Sequence, residues 1–106
     1  MQGVLDQVDD AIDVRSLPAG TVLIVRTRNS RYRVVTLPGP CGSAWIEGGR
    51  HFPAGAEVRI TGSTSGGSLL VIDRVCRGLC LEMSAEGRQL RTSRVRSIEV
   101  ETPAQS

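Results

Sequence analysis

From residue 21 onward, apolar and polar positions alternate in short stretches rich in Val, Ile, Leu and Thr, and glycine clusters interrupt them about every ten residues. A period of two belongs to strands, whose successive side chains face opposite sides of a sheet. The pattern predicts strands over residues 21–27, 32–37, 43–47, 57–62, 68–72, 79–83 and 88–100. Asn29-Ser30 supplies a tight turn between the first two, Pro38-Gly39-Pro40-Cys41-Gly42 a wider one after the second, and Gly87 the turn into the last. Within the last strand Leu90 and Thr92 share a face, but Val95, Ile98 and Val100 do not keep phase with them. The break places a β-bulge near Arg96-Ser97.

Six or seven short strands with local connections predict a mainly β fold, a small barrel or a sandwich, with the barrel preferred because closure removes exposed sheet edges. Trp45 and Phe52 are expected inside, since a small ring needs large side chains to fill it. The start of the chain follows another rhythm. Val4, Leu5, Val8 and Ile12 fall on one helical stripe, so a short amphipathic helix with an aspartate-rich outer face is expected over residues 3–13, followed by turn chemistry at Leu17-Pro18-Ala19-Gly20. The resulting division is a helix and linker over 1–19, a barrel domain over 20–101 and a frayed tail over 102–106.

Composition narrows the class. The chain has 106 residues, enough for one core but not two. Hydrophobic residues at 40% and charged ones at 23% are the proportions of an ordinary globular domain, so the chain is expected to fold. The longest apolar runs, 22–25 and 69–72, fall far short of the roughly 20 residues that cross a bilayer. No membrane partner is expected. Residues 1–13 carry four aspartates and no basic residue, unlike a secretion signal, which makes the cytoplasm the expected location. Three cysteines fit free thiols better than a disulfide framework. Charge is unevenly placed: residues 14–98 hold all thirteen arginines against five acids, a balance near +8, between acidic ends.

Candidate chemistry is sparse. Cys41, His51, Cys76 and Cys80 have the ligand count of a Cys₃His zinc site, but the two knuckle pairs of such sites are missing, and the thiols read as small apolar fillers or loop residues. A Cys-His nucleophile pair lacks a local signature. Gly62-Ser63-Thr64-Ser65-Gly66-Gly67-Ser68 offers backbone N–H groups to an anion, without the lysine and following helix of a phosphate loop. The sequence therefore predicts no catalytic residue, no metal and no cofactor, and a chain that is not an enzyme.

Arginines are the most suggestive feature. Arg26 and Arg28 lie two apart on one expected strand and Arg31 and Arg33 two apart on the next, which aims each pair at a single face; Arg91, Arg94 and Arg96 extend this ridge if the last strand lies beside the first. Guanidinium forks match phosphate geometry, and a cationic groove is a recurrent way to hold single strands of nucleic acid. The competing reading is a solvated face balanced by the acidic start of the chain.

The segments Arg26-Thr27-Arg28-Asn29-Ser30-Arg31-Tyr32, Gly48-Gly49-Arg50-His51-Phe52-Pro53 and Gly62-Ser63-Thr64-Ser65-Gly66-Gly67-Ser68 resemble a group of small, uncharacterised bacterial β-rich proteins, over roughly residues 20–98. The resemblance implies a compact domain and carries no activity. Tyr32, Gly48, Gly49, Phe52, Gly66 and Gly67 match the group's pattern, whereas it implies other residues at Cys76 and Cys80. Two functional readings follow. The first is a non-catalytic binding or regulatory module for a protein partner, self-association included; the alternative is a nucleic-acid-binding barrel using Arg26, Arg28, Arg31, Arg33, Arg91, Arg94 and Arg96.

Overall fold

The computed structural model describes residues 11–101. Its strands are β1 (Ala11–Asp13), β2 (Val22–Thr27), β3 (Arg31–Thr36), β4 (Ser43–Gly48), β5 (Phe52–Thr64), β6 (Leu70–Ile72), β7 (Arg74–Cys76), β8 (Cys80–Ala85) and β9 (Arg88–Glu101). Seven form one sheet in the order β4-β3-β2-β9-β8-β5-β6, and an additional pairing joins β4, at one end, to β5, next to the other. Hydrogen bonding therefore runs in a ring through six antiparallel strands, with β6 added to β5. A separate two-stranded sheet pairs β1 with β7.

Alternation explains the interior. Leu23 and Val25 on β2, Val34 on β3, Ala44 and Ile46 on β4, Ile60 on β5, and Leu81 and Met83 on β8 are all within 2% of full burial. Each large aliphatic so enclosed stabilises the fold by about 1.5–3 kcal/mol relative to exposure. Ile24 is buried although it lies off the core cluster, between its register partners Arg33 on β3 and Glu99 on β9.

Strand β9 lies beside β2, and Arg26 pairs with Ser97 while Thr27 pairs with Val95, so Arg96 is the extra residue of a bulge where the broken phase requires one. A second shift lies between Cys80 and Glu82, whose partners are Arg94 and Arg91. Two bulges let β9 bend round the ring and serve both β8 and β2.

Three expectations are corrected. No helix covers residues 11–13, which form β1; the only helical segment among the described residues is a 3-10 turn at Val14–Ser16, and residues 3–10 of the expected helix lie outside them. Ile12 instead pairs with Val75, and both join Val14 in the core cluster. The helical stripe thus misread a β-branched residue that buries through a short ladder. Trp45 is half-buried on the outer face rather than in the core, since Ala44 and Ile46 take the inward positions of β4. Phe52 is buried as expected. Finally, β5 begins at Phe52, five residues early. Up to Val58 it pairs with β4 on one edge and has no strand on the other, which accommodates Pro53.

Candidate functional site

A cavity of about 540 Å³ opens where the β2–β3 turn, the β4–β5 turn and the bulged part of β9 meet. Asn29 and Ser30 come from the first turn, Gly49, Arg50 and His51 from the second, Arg91, Thr92 and Ser93 from β9, and Tyr32 from the head of β3. Tyr32 is 4% exposed. Gly49 has φ +63, and a Cβ there would stand 2.7 Å from the Tyr32 ring and hydroxyl, so glycine is what allows the Arg50-His51 turn to lie directly on the tyrosine.

Hydroxyls fasten the other wall. The Ser93 Oγ donates to Thr27 Oγ1 at 2.8 Å and accepts from the Asn29 N–H at 3.1 Å. Thr27 Oγ1 donates to the Ser30 carbonyl at 3.2 Å and accepts from the Ser30 N–H at 3.0 Å. The Arg28 N–H donates to the Arg94 carbonyl at 2.9 Å. The β2–β3 hairpin is thereby strapped to β9 at the level of its bulge. Fixed polar groups of this kind hold a binding surface in shape without using its charged side chains.

The arginines divide into two sets. Arg26 and Arg31 are direct cross-strand partners and Arg33 follows on the same exposed face. Arg28 sits in the turn beyond Thr27, and Arg96 projects from the bulge next to Ser97. Among the described residues Arg28, Arg31, Arg33, Arg50 and Arg96 make no ion pair or side-chain hydrogen bond. Arg26 meets Glu99 at 4.0 Å and Arg91 meets Glu82 at 3.5 Å, both as half-exposed arginines in contacts of little energetic weight. Arg94 is different. Its guanidinium donates to the Gly78 carbonyl at 2.8 Å and the Ser65 carbonyl at 3.4 Å, which draws it into tying loops together and away from the expected ridge.

Other sequence candidates are dispersed. Cys41 lines a different cavity with Arg15, Leu17 and Pro40, while His51 borders the cationic one. Among the described residues no three metal-ligating side chains gather. Although Cys41 is exposed as a residue, loss of solvent around its sulfur and then the Asp73 carboxylate push its thiol up from the ordinary value, the direction that disfavours a reactive thiolate. In the glycine-serine segment Thr64 Oγ1 donates to the Leu69 carbonyl and accepts from the Gly66 N–H, so this loop is built as a turn.

Arg50 and His51 are the site residues that arginine spacing missed. Their signal was their place in the Gly48-Gly49-Arg50-His51-Phe52-Pro53 segment, which meets the Arg26-to-Tyr32 segment across the cavity. A neighbouring cavity of about 630 Å³ shares His51 and adds Trp45, Glu57, Glu86 and Arg88, a mixed lining poorly suited to an anion. No family model, curated protein or solved structure matches the chain.

Proposed function

We propose that the chain is a non-catalytic binding module, that its ring of strands is a small closed barrel, and that the cationic cavity with the arginines around it takes the phosphates of a single-stranded nucleic acid. One observation carries this reading: Arg50, His51 and Arg91 converge on a cavity with no carboxylate among its lining residues, beside Arg28 and Arg31, which have no side-chain partner among the described residues. A guanidinium cluster whose one carboxylate neighbour is Glu82, beside Arg91, keeps an excess of positive charge that attracts phosphate over a Debye length, and polar walls from Asn29, Ser30 and Ser93 supply shorter-range contacts. With Tyr32 buried, base stacking contributes little here, and weak sequence preference is expected. The reading as a module for a protein partner is favoured by a different feature, the exposed aliphatic side chains of β6.

Fluorescence anisotropy with a labelled single-stranded oligonucleotide tests the first reading. About four phosphate contacts imply a roughly tens-fold loss of affinity between about 50 and 200 mM salt. Arg28→Glu with Arg50→Glu is expected to abolish binding while leaving the unfolding midpoint in place. Absence of binding at low salt, or binding indifferent to the double variant, rejects it.

A further inference from the structure

Strand β6 stands at the end of the strand order, and the large apolar side chains left exposed among the described residues are all in or next to it: Leu69 at 52%, Leu70 at 38% and Ile72 at 63%. The cause is local. Ile72 lies opposite Gly62, which has no side chain to cover it and cannot gain one, because a Cβ there would run into the Val71 carbonyl oxygen. The segment 69–72 carries no charge, proline or bulge, the devices with which natural sheets usually protect an edge.

Register fixes which backbone groups face outward. The Asp73 N–H donates to the Thr61 carbonyl at 2.9 Å, making 61 and 73 a hydrogen-bonded pair; alternation makes 63 and 71 the next one. Leu70 and Ile72 therefore direct their N–H and C=O groups away from β5, toward the free edge.

We propose that this edge is a self-association surface on which a second copy of the chain docks, β6 against β6, antiparallel about a two-fold axis at Val71. The parity selects this occupant. Centring the axis on Val71 sets Leu70 of one copy opposite Ile72 of the other, twice, and these are the residues whose N–H and C=O groups point outward. Each exposed aliphatic then covers its counterpart, as an isologous contact requires. Charge agrees. Arg74 meets the uncharged Ser68 side of the second copy, and two bodies with a basic balance meet through a neutral strip. A three-residue strand buries less than the roughly 1,200 Å² of a stable interface, so the pair forms at high protein concentration and dissociates on dilution. None of this rests on the cationic cavity.

Sedimentation equilibrium of the full chain over a dilution series, paired with amide exchange, tests it. The expected result is an average mass rising from 11.4 kDa toward twice that value with concentration, with the Leu70 and Ile72 amides exchanging more slowly as it rises and the Val71 amide unchanged. Ile72→Lys is expected to hold the mass at the monomer value throughout, and Leu70→Lys serves as an independent second variant. A wild-type monomer at millimolar concentration overturns the proposal. So does a dimer whose Leu70 and Ile72 amides keep their dilute exchange rates, or a monomer that instead binds a synthetic extended aliphatic peptide on this edge.

Discussion

The β1–β7 sheet with the 3-10 turn after it and the turns around the cationic cavity are built on opposite principles. In the β1–β7 region Ile12, Val14 and Val75 enter the core, and the polar groups above them are paired. Arg15 meets Asp13 at 2.8 Å and Asp73 at 3.9 Å. Around the cavity the turns stay open, their hydroxyls are tied to one another, and Arg28, Arg31 and Arg50 are left without partners among the described residues. The comparison teaches that arginine content alone does not mark a surface for binding; what matters is whether the fold has already given the guanidinium an acceptor. Arg15 and Arg94 have one. Around the cavity Arg91 meets Glu82 only at 3.5 Å, and Arg28, Arg31 and Arg50 have none among the described residues.

Truncation should separate the two regions most clearly. Ile12→Ala removes a side chain only 6% exposed, and the expected cost is about 2–4 kcal/mol in urea unfolding. Arg50→Ala, on an exposed turn, should stay within about 0.5 kcal/mol. Equal costs for the two would erase the distinction between a sealed region and an open one.

That contrast was only half legible in the sequence. Strands β2, β3, β4 and β8 followed from alternation, and the bulge at Arg96 followed from a lost phase, because both depend on neighbours in the chain. The placement of Trp45 could have been read the same way: it shares its face with Ser43 and Glu47, the polar side of β4, and its indole Nε1 donates to Glu47 Oε2 at 3.1 Å over the backbone of Gly55. Size argued for the core, and alternation should have won. The short strands β1 and β7 were not readable, since three residues hold no period and only their mutual pairing makes them strands. The cavity depends on residues 29, 50 and 91 meeting across three elements, which no local pattern encodes. Arg94 shows the same limit from the other side, because spacing cannot reveal that Gly78 and Ser65 present carbonyls to it.

Arg94 therefore offers the next test. Losing its bonds to the Gly78 and Ser65 carbonyls by Arg94→Ala is expected to cost about 1 kcal/mol of stability. Oligonucleotide affinity should change less than twofold. Arg28→Ala should show the reverse, weaker binding with an unmoved unfolding midpoint. If Arg94→Ala weakens binding as much as Arg28→Ala, the division between committed and available arginines is wrong.

The smallest expected effect concerns the ion pair over the β1–β7 sheet. Side-chain hydrogen bonds from Arg15, at 3.0 and 2.8 Å, lower the Asp13 carboxyl from its ordinary 3.8 to about 2, and the Arg15 N–H adds a bond at 2.9 Å. A carboxyl whose pKa falls on folding contributes stability that is complete above its unfolded value and is lost as pH drops through the folded one. Asp13 should therefore help the fold at neutral pH and stop helping between about pH 4 and pH 2. Because the pair is open to solvent, the contribution is small and salt should reduce it. Urea unfolding of the wild type and Asp13→Asn at about pH 5 and about pH 2 reads it directly. The gap between the two proteins should close at the lower pH, since Arg15 keeps its charge and only the carboxylate is titrated. A gap that stays constant would mean that Asp13 acts through the shape of the 3-10 turn it caps, a difference between carboxyl and amide caps that does not depend on ionisation, and not through its charge.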